Sequence, residues 1–150
     1  MDLISLQKVD ESNFTACFAL KLHSWQEEFV SHPVRSLAQA YVYYKQCTPF
    51  AVCLGGEVVG YVMVIYDYDE ETYNIWHLMI DKEHQGKGYG RAAIELALAY
   101  IRTTPFGRSR RVLLTVNPEN RTACGLYRAL GFSETGRSDE DEVELGLALD

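Results

Sequence analysis

Hydrophobic residues recur along the first third of the chain at two spacings, one typical of strands and one of helices. Residues 3–9 alternate between polar and apolar side chains, which predicts a half-buried strand. Apolar residues recur at helical spacing through residues 14–29, and residues 36–45 form a second helical pattern beyond the helix breaker Pro33. The chain is therefore predicted to begin with a strand followed by two helices.

The rest of the chain predicts mainly strands, with a long helix in the middle. Gly55 and Gly56 form a hairpin turn, and Gly131 ends the last helix. Strands are predicted at residues 50–54, 58–66, 73–80, 111–116, from 132 onward and at 143–149, and helices at residues 91–101 and 121–130. The order β-α-α-β-β-β-α-β-α-β-β predicts an α/β fold with one mixed sheet and helices on both faces. We found no linker or repeat, so residues 1–150 are expected to form a single domain.

A glycine-rich turn separates the fourth predicted strand from the long alanine-rich helix. Gly86, Gly88 and Gly90 lack a Cβ atom, so a phosphate group can approach the main-chain amides at the start of this helix. Lys87 and Arg91 add positive charge beside the same turn. The segment is therefore predicted to bind a pyrophosphate.

Two common phosphate-binding motifs fit this turn poorly. A dinucleotide-binding fingerprint should follow the first strand, with an acidic residue about twenty positions later. A P-loop should end in Gly-Lys-Ser or Gly-Lys-Thr, and neither sequence is present here. A nicotinamide-linked dehydrogenase and a P-loop nucleotidase are both disfavoured.

Charge and composition narrow the choice of partners. The formal net charge of −7 disfavours binding to nucleic acid or to an anionic membrane and favours a cationic substrate. The four cysteines show no metal-ligand spacing, so no metal is expected. We see neither a signal peptide nor an apolar stretch long enough to cross a bilayer, and we expect a cytoplasmic protein.

Two signatures resemble those of the GNAT superfamily of N-acetyltransferases. Residues 84–91, His-Gln-Gly-Lys-Gly-Tyr-Gly-Arg, resemble the motif Gln/Arg-x-x-Gly-x-Gly/Ala, and residues 78–81 resemble the strand before it. Residues 120–132 resemble the pattern Asn-x-x-Ala-x-x-Leu-Tyr-x-x-x-Gly-Phe. Both occur in the family's order and separation, and the resemblance is strong over residues 73–132.

The resemblance implies a fold, a cofactor and a catalytic acid. It implies a mixed sheet of six to seven strands, with the fourth and fifth strands splayed around the pantetheine arm of acetyl-CoA. Tyr127 would protonate the departing thiolate, because a phenol is protonated at neutral pH. The positions that would contact the cofactor are Leu78, Met79, Ile80, Gln85, Gly86, Lys87, Gly88, Tyr89, Gly90, Arg91, Asn120, Ala123 and Tyr127.

The general base is left open by the sequence. Several relatives carry a carboxylate at positions that correspond to Asn74 or Trp76, and neither residue can act as a base here. His77 is adjacent, but strand alternation places it on the opposite face from Trp76. Glu27, Glu28 and a chain of water molecules are the alternatives.

The acceptor is expected to be a small amine, in particular a polyamine or diamine. Gln26, Glu27, Glu28, Trp76 and His77 are the candidate acceptor-binding residues, because carboxylates and aromatic walls suit a polycation. The acidic stretch at residues 67–71 can border the same site. The pattern resembles bacterial diamine and spermine/spermidine acetyltransferases, many of whose relatives are dimers. The alternatives are another amine acceptor, such as a protein N-terminus, a lysine, an amino acid or an aminoglycoside, or a coenzyme-binding module without activity.

Overall fold

A computed structural model describes residues 3–149 and contains a seven-stranded sheet. Its elements follow the predicted order. The strands are β1 (Ile4–Lys8), β2 (Cys47–Leu54), β3 (Glu57–Asp67), β4 (Thr72–Ile80), β5 (Arg111–Val116), β6 (Ser133–Asp139) and β7 (Glu142–Ala148), and the α-helices are α1 (Phe14–Phe18), α2 (Pro33–Val42), α3 (Tyr89–Arg102) and α4 (Arg121–Ala129).

The sheet is mixed, with strand order β1-β2-β3-β4-β5-β7-β6. β4 and β5 are parallel, and the other neighbouring strands are antiparallel. This arrangement follows from the chain, because hairpins join β2, β3 and β4 while α3 provides the crossover from β4 to β5. The predicted α/β class and the number of strands are confirmed.

Helices cover both faces of the sheet. The larger apolar core packs α3 and α4 against one face, with Ala93, Ile94 and Ala97 of α3 fully buried and Ile101 nearly so. Their spacing of three, four and seven residues is that of one helix face, and alanines allow a close approach to the strands. α1 and α2 pack on the other face over a smaller core. Within residues 3–149, no helix has the length and apolar character needed to cross a bilayer.

The first helix is much shorter than its hydrophobic spacing predicts. α1 ends at Phe18, and only a 3₁₀ turn at Ser24–Gln26 follows. Contacts with the end of β4 explain the difference: the Lys21 amide donates to Asp81 Oδ1 at 2.8 Å, and the Lys21 carbonyl accepts from the Lys82 amide at 2.7 Å. These bonds hold the backbone away from helical geometry, so the predicted helix over residues 14–29 is wrong.

Two other boundaries follow known rules for helix ends. Pro33 does not precede the second helix but starts it at the first helical position, where the missing N–H costs no hydrogen bond. Gly131 has φ +100°, and its predicted role as a left-handed cap at the end of α4 is confirmed.

Candidate active site

A cleft opens where β4 and β5 separate. The two strands pair only at Tyr73 with Val112 and at Asn74 with Leu113. Beyond Asn74, the edge of β4 that faces β5 lacks a strand partner within the described part of the chain. The splay that the family resemblance implies is therefore present, and it forms one side of a cleft of about 740 Å³.

A β-bulge lies in β4 at the centre of this cleft. Met63 of β3 pairs with Trp76 and Tyr61 pairs with Met79, so two residues of β4 stand opposite one residue of β3. His77 is in the bulge, with φ +60°. That backbone conformation is rare for a residue other than glycine, and it interrupts the alternation of the strand.

The bulge overturns one prediction about His77. Trp76 packs on the core beneath α1 and α2, and the His77 ring contacts Ser36 of α2, with a centroid distance of 5.6 Å between the Trp76 and His77 rings. The two side chains therefore lie on the same face of the sheet. The prediction from strict alternation is wrong because the extra residue shifts the direction of His77.

His77 is joined to a buried hydrogen-bond chain. Its Nδ1 atom lies 2.7 Å from Ser36 Oγ, and Ser36 Oγ lies 2.7 Å from the phenol oxygen of Tyr61. Burial, assisted by the positive charge of Arg35, lowers the pKa of His77 to about 4. His77 is therefore a neutral imidazole at physiological pH and lines the cleft.

The glycine-rich turn has the geometry that a phosphate site requires. Gly86 and Gly88 have φ of +78° and +84°, a conformation that glycine adopts without strain. A Cβ atom at either position would meet no other atom within 4 Å, so the turn borders open space. Gly88 is the N-cap of the fourteen-residue helix α3, so the positive end of the helix dipole lies at this turn. The main chain present therefore fits a pyrophosphate group.

The two cations of the turn occupy different positions. Arg91 lines the cleft and forms an ion pair with Glu95, with Nε and Oε1 2.9 Å apart. Lys87 is exposed and lies outside the cleft wall. Neither the Arg91 nor the Lys87 side chain is held against the main chain of the glycine-rich turn. The main chain is therefore the principal element for phosphate binding.

Tyr127 lies on the buried side of α4. Its ring packs edge-to-face on Phe132, and the side chain is 9% exposed. Burial raises the pKa of this phenol to about 12, and the nearby Cys124 and Glu142 add to the effect. Tyr127 therefore holds its proton at neutral pH. At the start of the same helix, Asn120 Oδ1 accepts from the Ala123 amide at 3.4 Å, which fixes the amide side chain as a cap.

Most of the residues predicted from sequence meet in this one cleft. Its wall includes the following predicted residues: Gln26, Trp76, His77, Leu78, Met79, Ile80, Gln85, Gly86, Gly88, Tyr89, Gly90, Arg91, Asn120, Ala123 and Tyr127. Glu27 and Glu28 are exposed and, like Lys87, lie outside the wall.

Two carboxylates that the sequence reading did not single out do line the cleft. Asp139 and Glu142 stand opposite each other across the β6–β7 hairpin. Glu142 is half-buried, and its Oε1 accepts from the Thr115 hydroxyl at 3.1 Å. The sequence contains an acidic run at residues 139–142, but its position at the cleft depends on the pairing of β7 with β5.

The acidic connection between β3 and β4 has another role. Residues 67–71 lie outside the cleft wall, and Glu70 accepts from Arg137 of β6 at 3.0 Å. Arg137 also donates to Glu144 at 2.9 Å. These bonds tie the β3–β4 loop to the β6–β7 hairpin. The carboxylate of Glu70 therefore belongs to a surface ion-pair network.

Within residues 3–149, no group of three or more histidine, cysteine, aspartate or glutamate side chains is arranged to hold a metal ion. The cleft wall offers a phenol, carboxylates, a neutral imidazole and the main chain of the glycine-rich turn.

Comparisons with known proteins agree with this geometry. The family model described as "Acetyltransferase (GNAT) family" matches residues 14–132. A probable spermine N(1)-acetyltransferase of Bacillus subtilis subsp. natto is 27% identical over 145 residues, and a spermine/spermidine N(1)-acetyltransferase of Bacillus subtilis strain 168 is 26% identical over the same length; each alignment covers 91% of both chains.

The fold is shared with solved structures. A spermidine N-acetyltransferase from Vibrio cholerae, solved with CoA and spermine, superposes with a TM-score of 0.75 at 23% identity, over 97% of this chain and 95% of that one. The match to the family model extends from α1 to the end of the Asn120–Phe132 signature and includes the splayed strands, the glycine-rich turn and Tyr127. The chain belongs to the GNAT family of acetyltransferases, which use acetyl-CoA as the acyl donor.

Proposed function

We propose that the protein transfers the acetyl group of acetyl-CoA to a primary amine of a polyamine or diamine. The observation that carries the choice of acceptor is the pair of carboxylates Asp139 and Glu142 in the cleft wall. Like charges directly opposite each other across a strand pair repel, and a cation between them removes that cost. An ammonium group carried by the acceptor supplies such a cation.

Aromatic side chains in the same wall support a cationic acceptor. Trp25, Phe29 and Trp76 line the cleft, and Trp25 is 54% exposed. An ammonium group is stabilised over the face of an aromatic ring, most of all over tryptophan. The relatives named as spermine and spermidine acetyltransferases support the same class of acceptor.

The coenzyme is proposed to lie along the splayed edge of β4. The main chain of Leu78 has no strand partner on the β5 side and is available to the amides of the pantetheine arm, whereas the Met79 carbonyl faces Gly60 of β3. The pyrophosphate is proposed to bind the amides of the turn at Gly86 and Gly88 and at the start of α3. The carbonyl of Ile80 is occupied, because it accepts from Gln85 Nε2 at 2.9 Å.

The reaction requires a neutral amine and a protonated leaving group. We assign the base to Glu142, which is the half-buried carboxylate of the pair and lies close enough to Tyr127 to raise the pKa of its phenol. Glu142 removes a proton from the ammonium, directly or through water, and the neutral amine attacks the thioester carbonyl. The C–S bond then breaks as Tyr127 donates its proton to the sulfur, and the second proton that leaves the nitrogen returns to the phenolate. Burial raises the pKa of the phenol, and it also raises the pKa of the coenzyme thiol beside it, because the phenolate and the thiolate both lose hydration. Proton transfer between them therefore stays feasible.

An acceptor panel tests the proposal. Thiol release from acetyl-CoA is followed with spermidine, spermine, putrescine, an aminoglycoside and a lysine peptide. Butylamine serves as a matched control for putrescine, because it has the same carbon chain and only one amine. We expect the highest kcat/KM for the polyamines and a lower value for butylamine than for putrescine. A preference for the peptide or the aminoglycoside would assign the protein to another acceptor class within the family.

A further inference from the structure

The segment between α1 and α2 forms a wall of the cleft but contains little regular structure. Leu22, Trp25, Gln26, Phe29 and Val30 line the cleft from this segment, whose only helical part is the 3₁₀ turn at Ser24–Gln26. So short a turn has almost no stability of its own. Its position must come from bonds to other elements.

One such bond joins the wall to the glycine-rich turn. Gln26 Nε2 donates to Gln85 Oε1 at 3.0 Å, and Gln85 Nε2 donates to Gln26 Oε1 at 2.9 Å. The two side-chain amides thus form a closed pair with two hydrogen bonds. Gln85 is the residue directly before Gly86, so the pair links the wall to the first residue of the predicted pyrophosphate site.

Further bonds fix the orientation of both amides. Gln85 Nε2 also donates to the Ile80 carbonyl at 2.9 Å, and Gln26 Oε1 also accepts from the His23 amide at 3.1 Å. Rotating either amide by half a turn would place oxygen against oxygen or N–H against N–H. The pair therefore has one favourable arrangement, in which the end of β4, the glycine-rich turn and the wall hold one another.

We propose that Gln26 and Gln85 are positioning residues that couple the coenzyme site to the acceptor site. Coenzyme A on the amides at Gly86 and Gly88 fixes the turn, the turn holds Gln85, and Gln85 holds Gln26 and with it Trp25. This rests on the proposed function only in placing the coenzyme on the turn. Because coupling between two ligands is reciprocal, the acceptor then increases the affinity for the coenzyme by the same factor.

Trp25 gives a direct readout that does not need the acceptor. The chain has two tryptophans, so a Trp76→Phe background leaves Trp25 as the single tryptophan reporter. Coenzyme A is titrated while Trp25 emission is recorded, and binding is measured in parallel by calorimetry. We expect coenzyme A to change Trp25 emission in this background. In Gln85→Leu and in Gln26→Leu, we expect coenzyme A to bind with an unchanged stoichiometry while the Trp25 response is lost.

A matched control is available in Gln46. Its Nε2 donates to the Tyr66 carbonyl at 2.9 Å, so Gln46→Leu also removes a side-chain bond to a main-chain carbonyl, at a position outside the cleft wall. This control should retain the full Trp25 response. Gln26→Leu and Gln85→Leu remove the same pair from opposite sides, so the test remains valid if either variant fails to fold.

The outcomes separate the inference from the proposed function. A Trp25 response that persists in both leucine variants, or that is absent from the background protein although coenzyme A binds, overturns the coupling and leaves the enzyme assignment intact. Failure of coenzyme A to bind the background protein and the wild type overturns both. With an acceptor from the panel, the factor by which that acceptor tightens coenzyme binding should fall several-fold in each variant, and the double variant should resemble the single ones.

Discussion

The hydroxyl of Ser36 bridges His77 and the buried phenol of Tyr61, at 2.7 Å from each. Burial raises the pKa of Tyr61, so its phenol stays protonated. Burial also lowers the pKa of His77 to about 4, so both partners of Ser36 Oγ are uncharged at neutral pH. Because Nδ1 of His77 is engaged with Ser36 in either tautomer, we assign the base to Glu142.

The lowered pKa of His77 predicts a loss of stability in acid. Its pKa is about 4 in the folded protein and 6.5 in an unperturbed chain, so the unfolded chain binds the proton more tightly. Stability thus rises with pH between these values and falls by roughly 3 kcal/mol as pH decreases across the window. Chemical denaturation of wild type and His77→Asn at several pH values tests this, since asparagine tolerates the left-handed backbone. The variant should lose most of the pH dependence, and His23→Asn, at an exposed position, should retain it.

Tyr127→Phe should separate catalysis from binding. The variant keeps the ring that packs on Phe132 and loses only the hydroxyl. Loss of a general acid lowers turnover by about 10² or more. Calorimetry should show nearly unchanged binding of acetyl-CoA, and Tyr41→Phe, at a position 82% exposed, should behave as wild type. Unchanged turnover in Tyr127→Phe would contradict the assignment of the acid.

Gly86→Ala and Gly88→Ala should weaken coenzyme binding beyond any effect on stability. Each places a Cβ on a left-handed residue, which costs about 1 kcal/mol of stability. Gly55→Ala is a matched control, because Gly55 has φ +61° and open space around it, but lies in the β2–β3 turn. All three should lose similar amounts of stability in thermal unfolding. Only the first two should show an increase in the Kd for coenzyme A, of about tenfold. Equal coenzyme affinity in the three variants would place the phosphates elsewhere.

Glu142→Gln and Glu140→Gln should differ, although the two residues belong to the same hairpin. Glu142 lines the cleft, whereas Glu140 is exposed outside its wall. Removing the carboxylate at position 142 removes both an ammonium contact and the proton acceptor, so kcat/KM for a polyamine should fall at least about tenfold. The Glu140 variant tests whether net charge alone matters. If both variants lose activity equally, long-range attraction and not a defined contact accounts for acceptor binding.

The glycine-rich turn and the signature from Asn120 to Phe132 could be predicted from sequence because their chemistry depends on residues close together in the chain. The extent of α1 could not, since the bonds of Lys21 to Asp81 and Lys82 connect segments sixty residues apart. The bulge at His77 carries no glycine that would mark it. The role of the acidic hairpin depends on the pairing of β7 with β5, which periodicity along a single strand does not specify.

The short contact between β4 and β5 has a consequence for the lifetime of the protein. Two residue pairs join the strands on either side of the cleft, so the sheet depends on the helices above it to keep its halves together. A coenzyme lying along the free edge of β4 adds main-chain hydrogen bonds at that junction and stabilises the folded chain by mass action. We therefore expect the folded chain to resist proteolysis longer when coenzyme A is present than when it is absent.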